Sequence, residues 1–329
     1  MTTVSKADPA SPAGSAGPLE HRRPLGDRGF QILALAAGLL VLVILVLIAV
    51  STAEQSTTWF TSAGFKGIFS ARWDTATGHF GAMAFLYGTV ISSVIGIIIS
   101  VPVSVGIALL LTQVVRAKVA RPFIYVIDLL AVVPSVVWGL WGIIVLVPWL
   151  QHIYTSIASG LKGVPVLGTL FGGPNASGAS FFTAGLILAV MITPIVTSLS
   201  REVIATVPAI DKEGAYALGA TRWEMIRGAV WPHSQGGVVG AVLIGLGRAM
   251  GETIAVALVI GDSPEVTGHL FYSGHSIAAV IALQFGEATV GEFRSALIGL
   301  GLFLFALTII VNLVARAIVE RSTRRARGA

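Results

Sequence analysis

The sequence predicts an all-α polytopic membrane protein with six transmembrane helices. Three observations carry that prediction. The 329-residue chain is 55% hydrophobic but only 11% charged, it contains six apolar runs of spanning length, and its Lys and Arg residues gather in alternate loops. A water-soluble domain carries about a quarter charged residues, so this chain lacks the polar surface to cover itself in water, and lipid is the solvent that fits. The mean hydropathy of +0.87 agrees. The same counts exclude an intrinsically disordered chain, which needs low hydrophobicity, and the absence of Cys excludes a disulfide scaffold. The net charge of +5 reads as loop bias in an apolar body and not as a nucleic-acid surface.

A spanning helix needs about 20 mostly apolar residues. The first run, 31–50, lies between Arg28 and Glu54. The second falls within 87–111, ahead of Arg116 and Lys118, and the third runs over 123–148. The fourth covers 181–199, the fifth 236–261 despite the internal charges Arg248 and Glu252, and the sixth 296–315. The first run is too long for a signal-peptide core and is read as a retained helix. The expected organisation is a disordered cytoplasmic tail over 1–29, a first transmembrane helix and outer loop over 30–80, a five-helix core over 81–320 with a long cytoplasmic loop at 201–235, and a basic cytoplasmic tail over 321–329. Outer segments 151–179 and 262–294 are expected to form short helices capping a pathway.

Orientation follows from the Lys/Arg asymmetry. One set of loops and termini holds sixteen cations and the other holds Lys66, Arg72, Lys162 and Arg294, with Arg248 left inside the fifth run. Positive loops stay inside, so both termini are expected in the cytoplasm, with the chain in the plasma or inner membrane.

Catalysis is unsupported by any motif. No Lys follows a Gly, so the phosphate-cradling loop of an ATPase is absent, and neither His-Glu-x-x-His nor Gly-x-Ser-x-Gly occurs. No catalytic residue and no metal ligand is expected.

Two constellations carry function. In Gly247-Arg-Ala-Met-Gly251-Glu252-Thr253, Arg248 falls near mid-membrane, where a cation costs at least about 2.5–3.5 kcal/mol and faces a polar cavity or a partner. As one helix, i,i+4 spacing puts Glu252 on the same face. Two readings stay open: a structural ion pair, or an anion site in which the planar guanidinium matches oxyanion geometry. The Gly247-x-x-x-Gly251 spacing suggests close helix packing.

The second constellation is the loop from Asp211 to Pro232. Ala215, Leu218, Trp223, Ile226 and Val230 recur at helical spacing, and Thr221 with Glu224 forms a capping box. This predicts helix, Gly219 turn, helix, either self-packed or presenting a docking surface. Asp128, near the cytoplasmic end of the third run, has Arg121 as a candidate partner two turns away.

Glu213-x-Ala215-x-x-x-Gly219, followed 13 residues later by Pro232, resembles the Glu-Ala-Ala loop of binding-protein-dependent ABC importer permeases. The Gly247–Thr253 run and Val133-Pro-Ser-Val-Val-Trp-Gly-Leu-Trp-Gly142 are similar to the PstC-type permease family of phosphate importers. The resemblance covers about 80–320. Gly214, Ala229 and Trp231 depart from the usual pattern. It implies a type I ABC importer permease fold and import of inorganic phosphate. It also implies partners: a homologous PstA-like permease, a PstB-like ATPase dimer that uses ATP and Mg, and an extracytoplasmic PstS-like phosphate-binding protein. Glu213, Ala215, Gly219 and Pro232 belong to the ATPase-coupling loop, and Arg248, Gly251, Glu252 and Thr253 line the translocation path. No cofactor is expected on this chain. Rival readings are a permease for sulfate, molybdate or phosphonate, and a self-sufficient secondary transporter.

Overall fold

The computed structural model describes residues 25–172, 176–288 and 291–327. Most of the expected N-terminal tail, up to residue 24, lies outside the described residues. The chain divides into two units, Met1–Val50 and Ser51–Ala329, with the boundary inside the first helix. In the first unit the chain is helical from residue 25, inside the segment expected as a tail, and residues 31–50 carry no charge. That helix, α1, is assigned over Leu25–Ile68 and is interrupted in the second unit at Gly64, whose φ of 60° is one that glycine tolerates.

In the second unit a short antiparallel hairpin, β1 (Trp73–Asp74) and β2 (His79–Phe80), follows. Its turn is held by Asp74, whose carboxylate accepts from the N–H groups of Ala76 and Thr77 and from the Thr77 hydroxyl at 2.7 Å. Helix α2 (Met83–Leu109) continues through a π turn to Val114. Helix α3 (Ala117–Val132) then stops, because Pro134 supplies no N–H and pushes Val133 into an extended conformation with ψ of 127°. The chain resumes as α4 (Ser135–Trp141), a π turn over 142–146 and α5 (Val147–Gly160). The third apolar run is therefore two helical pieces, and the uninterrupted stretch is Ser135–Gly160.

After the short α6 (Leu167–Phe171) comes α7 (Phe181–Ala205), capped by Ser180, which accepts from Thr183 N–H at 3.3 Å. Then follow α8 (Ala209–Ala217), α9 (Arg222–Met225), a π turn over 226–230, α10 (Trp231–Met250), α11 (Ile254–Val259), α12 (Ile277–Gln284) and α13 (Glu292–Arg327). The outer segments do form short helices. Helix α13 runs through most of the expected C-terminal tail. Among the described residues five helical stretches are long and apolar enough to cross a membrane: Gly29–Ile68, Met83–Val114, Ser135–Gly160, Phe181–Ala205 and Glu292–Ala317. The fifth apolar run of the sequence supplies the sixth passage, split between α10 and α11. The fold is an all-α polytopic bundle.

Helix α7 is the axis of the second unit, packed on α2, α10 and α3. Small residues set those distances. A Cβ on Gly185 would stand 2.5 Å from Ile95 of α2, one on Gly237 2.4 Å from Val203, and one on Gly245 2.7 Å from Val196. Gly237 and Gly245, with buried Ala241 and Ala249, recur every four residues and form the seam of α10. The sequence reading assigned close packing to Gly247 and Gly251; nothing of the chain lies within 4 Å of a Cβ on Gly247. Asp128 takes its partners from α7 and not from Arg121: Ser198 Oγ donates to it at 2.6 Å and Arg201 Nη2 lies 3.6 Å away.

Candidate functional site: a broken helix and an exposed loop

The apolar run that holds Arg248 and Glu252 is not one helix. Helix α10 ends at Met250, Gly251 and Glu252 make its last turn through N–H bonds to the Gly247 and Ala249 carbonyls, and α11 begins at Ile254. The Thr253 hydroxyl donates to the Gly251 carbonyl at 3.2 Å, and Glu252 Oε1 accepts from Ala255 N–H at 3.4 Å. Glu252 thus sits at the N-terminus of α11 and Arg248 in the last turn of α10. Each charge complements its own helix end, where the macrodipole favours that sign. No ion pair joins them among the described residues, because the helix ends before Glu252 can come round to the face of Arg248.

Non-helical backbone at membrane depth is tolerated where it is enclosed by protein or lines an aqueous cavity. Here Arg248 and Gly251 are exposed while Glu252 and Thr253 are half-buried, and past the exposed Ile254 the chain enters the core at Ala255 and Val256. The four residues expected to line the path, Arg248, Gly251, Glu252 and Thr253, thus fall together at the break between α10 and α11. Gly247 faces a cavity of about 460 Å³ between α10 and α13, which Asn312 and Arg316 also line.

The short helix α11 is held by α4. A Cβ on Gly139 would lie 2.8 Å from Ala255 Cα, and one on Gly142 2.8 Å from Val259 Cγ1. The two glycines of the Trp-Gly-Leu-Trp-Gly run thus admit the backbone of the half-helix. In the sequence the i,i+3 spacing of Gly139 and Gly142 is the one mark of this contact.

At the other end of α7, α8 and α9 form the expected helix, turn and helix. Gly219 has φ of 83°, its N–H bonds to the Tyr216 carbonyl at 2.9 Å, and Ala220 N–H bonds to the Ala215 carbonyl at 3.1 Å. That is a Schellman C-cap, which favours glycine at the left-handed position. The capping box is present: Glu224 N–H donates to Thr221 Oγ1, and Glu224 Oε2 accepts from Thr221 N–H at 2.8 Å. These bonds from Thr221 hold the Glu224 carboxyl below its ordinary pKa.

The loop divides its apolar residues. Met225, Ile226 and Val230 are buried against Ala108, Ile204 and Val207, with Ala215 at their edge, so one face is self-packed. Ile210, Tyr216, Trp223 and above all Leu218, which is 91% exposed, are left uncovered. Glu213 is exposed beside them, and Pro232 starts α10 within its first two positions.

The chain matches the family described as binding-protein-dependent transport system inner membrane component over residues 83–328. Among curated proteins it is 40% identical to the phosphate transport system permease protein PstC of Mesorhizobium japonicum, over 99% of each chain. It is likewise 40% identical to PstC 2 of Mycobacterium tuberculosis, over 89% of this chain and 91% of that one. The chain belongs to this family, as a PstC-type permease subunit of an ABC importer. Solved structures share the fold at low identity. A bacterial ABC transporter that imports the acidic polysaccharide alginate aligns with a TM-score of 0.58 at 14% identity, covering 89% of this chain and 96% of that chain. The inward-facing MetNI methionine ABC transporter aligns at 0.52 and 16% identity, covering 76% and 99%. The family match begins at α2, so α1 and the hairpin stand outside it.

At the end of the bundle opposite α8 and α9, the segment between α11 and α12 crosses the start of α7. Phe181 N–H bonds to the Tyr272 carbonyl and Phe182 N–H to that of Leu270. His275 in this segment is buried, edge-on to Phe85, with Nε2 3.3 Å from Asp262 Oδ1. Burial pushes the imidazole pKa down, against the opposing pull of Asp262. No sequence pattern marked this histidine.

Proposed function

We propose that this chain carries inorganic phosphate into the cytoplasm as one half of a permease, with both termini and the α8–α9 loop on the cytoplasmic side of the plasma or inner membrane. The observation that carries the substrate assignment is the near-full-length 40% identity to a phosphate permease. The chain itself has no ATPase loop, so hydrolysis of ATP with Mg falls to a PstB-like dimer. A PstA-like subunit completes the pathway and a PstS-like protein delivers phosphate. The chain is non-catalytic and binds no cofactor.

In this mechanism the α8–α9 loop seats on the ATPase through its uncovered apolar edge at Leu218 and Trp223. Because the opposite face of the loop is packed on the ends of α2 and α7, movement of the loop moves those helices. The break at Gly251 is the point where α10 can move against α11. Arg248 offers a planar pair of donors to phosphate oxygens as the path opens. Phosphate near neutral pH keeps a proton that sulfate lacks. Glu252, an acceptor when ionised, takes a hydrogen bond from the phosphate hydroxyl and repels a fully deprotonated oxyanion.

The test is uptake of labelled phosphate and sulfate by vesicles holding the assembled complex in a form that bypasses the binding protein. ATP-dependent uptake of phosphate over sulfate is expected, with Glu252→Gln lowering phosphate flux and narrowing the preference. Equal uptake of both anions by the parent would contradict the substrate assignment.

A further inference from the structure

An apolar slot of about 310 Å³ lies among α2, α3, α4 and α7, and its lining includes no residue of the helix break or of the α8–α9 loop. Its walls include Val103, Leu130, Trp138, Leu186 and Val190. The two threonines that line it turn their hydroxyls to backbone: Thr193 donates to the Ala189 carbonyl at 2.7 Å and Thr197 to that of Ser104. Two prolines mark the helices that wall it. Pro134 separates α3 from α4, and Pro194, which faces the slot, interrupts the hydrogen-bond ladder of α7.

The end of the slot toward α8 is charged. Arg201 lies one turn beyond Thr197 on the same face of α7, and Asp128 follows Ile127, which also lines the slot. The two meet at 3.6 Å, with 45% of the Asp128 side chain exposed. One carboxylate and one guanidinium thus stand together where apolar walls end.

We infer that this slot is a phospholipid site for a zwitterionic headgroup bearing a primary ammonium and a phosphate, as in phosphatidylethanolamine. An acyl chain fills the apolar walls, the phosphate faces Arg201 and the ammonium faces Asp128. Water gains no partners from such walls, and a phosphate ion alone loses its hydration there for one shared cation. In the orientation proposed above, the headgroup belongs to the cytoplasmic leaflet. The site is independent of which anion the complex transports.

The test is native mass spectrometry of the assembled complex, purified from membranes containing both phosphatidylethanolamine and phosphatidylglycerol. The parent complex is expected to keep one phosphatidylethanolamine per copy of this chain through delipidation. Leu130→Trp, which fills the slot from its half-exposed rim, is expected to lose it. Asp128→Asn is expected to keep a lipid but lose the preference for phosphatidylethanolamine, since the amide no longer pairs with the ammonium. A photoreactive residue at Val103 in the otherwise unaltered chain is expected to capture lipid. No retained lipid in the parent, retention indifferent to both substitutions, or capture of a partner-subunit peptide at Val103 would each overturn the assignment.

Discussion

Gly139 has one task, to let the backbone of α11 come within contact of α4. A Cβ there would stand 2.8 Å from both Ala255 Cα and Leu258 Cδ1, and a backbone neighbour has little freedom to yield. Gly139→Val is therefore expected to destabilise the bundle by about 1–3 kcal/mol and to shift α11. Thermal unfolding of the purified complex against the parent reads the effect; an unchanged melting temperature would show that the half-helix is not seated by this contact. At the same scale, Arg248 and Glu252 illustrate what residue pattern alone conveys. Their membrane depth and charge marked them as functional in the sequence. Their relation was misjudged, because i,i+4 geometry presumes an unbroken helix, and the break at Gly251 has no proline to announce it. Asp128 gives the same lesson: Arg201, 73 positions away, is close only through the packing of α3 on α7.

Among the elements, the α8–α9 loop was legible in detail. The Gly219 turn and the Thr221–Glu224 box are local devices that depend on neighbours in sequence, so both appear as expected. The division of its apolar residues was not legible, since burial of Ile226 and exposure of Trp223 follow from where α2 and α7 end. Gly219→Leu is expected to strain the left-handed position by about 1–2 kcal/mol and misalign the two short helices. The chain still inserts, ATP hydrolysis by the complex persists, and phosphate uptake falls. Normal uptake with that variant would exclude the loop from coupling.

The segment 261–276 has a pH dependence of its own. The folded pKa of His275 lies below the ordinary 6.5 because of burial, so the unfolded or detached segment binds protons more readily. The contribution of this histidine is full above about pH 6.5 and falls as pH drops from there toward the folded pKa. Hydrogen exchange of this segment is expected to quicken as pH falls from 7 to 5, after correction for intrinsic rates, and the trend should vanish in His275→Gln. An unchanged trend in that variant would assign it to another group.

For the molecule as a whole, the class was written in composition: a chain with 11% charge has no fold open to it in water, and alternate positive loops fixed the expected topology. The number of passages was harder, because composition cannot distinguish a spanning helix from two helices joined at Pro134 or at Gly251. Those joints are what a permease requires, since rigid helices alone offer neither polar backbone at membrane depth nor a place to bend. The central claim is that the break beside Arg248 is where the anion passes. The direct measurement is ATP-driven phosphate uptake by proteoliposomes holding the assembled complex with Arg248→Ala or Arg248→Lys, with assembly and ATP hydrolysis followed in parallel. Loss of a charge-assisted donor pair predicts an uptake decrease of about 10- to 100-fold for Arg248→Ala. It also predicts poor rescue by Arg248→Lys, which keeps the charge but not the planar fork, with assembly intact in both. Parental uptake by the alanine variant, or its failure to assemble, would contradict the account.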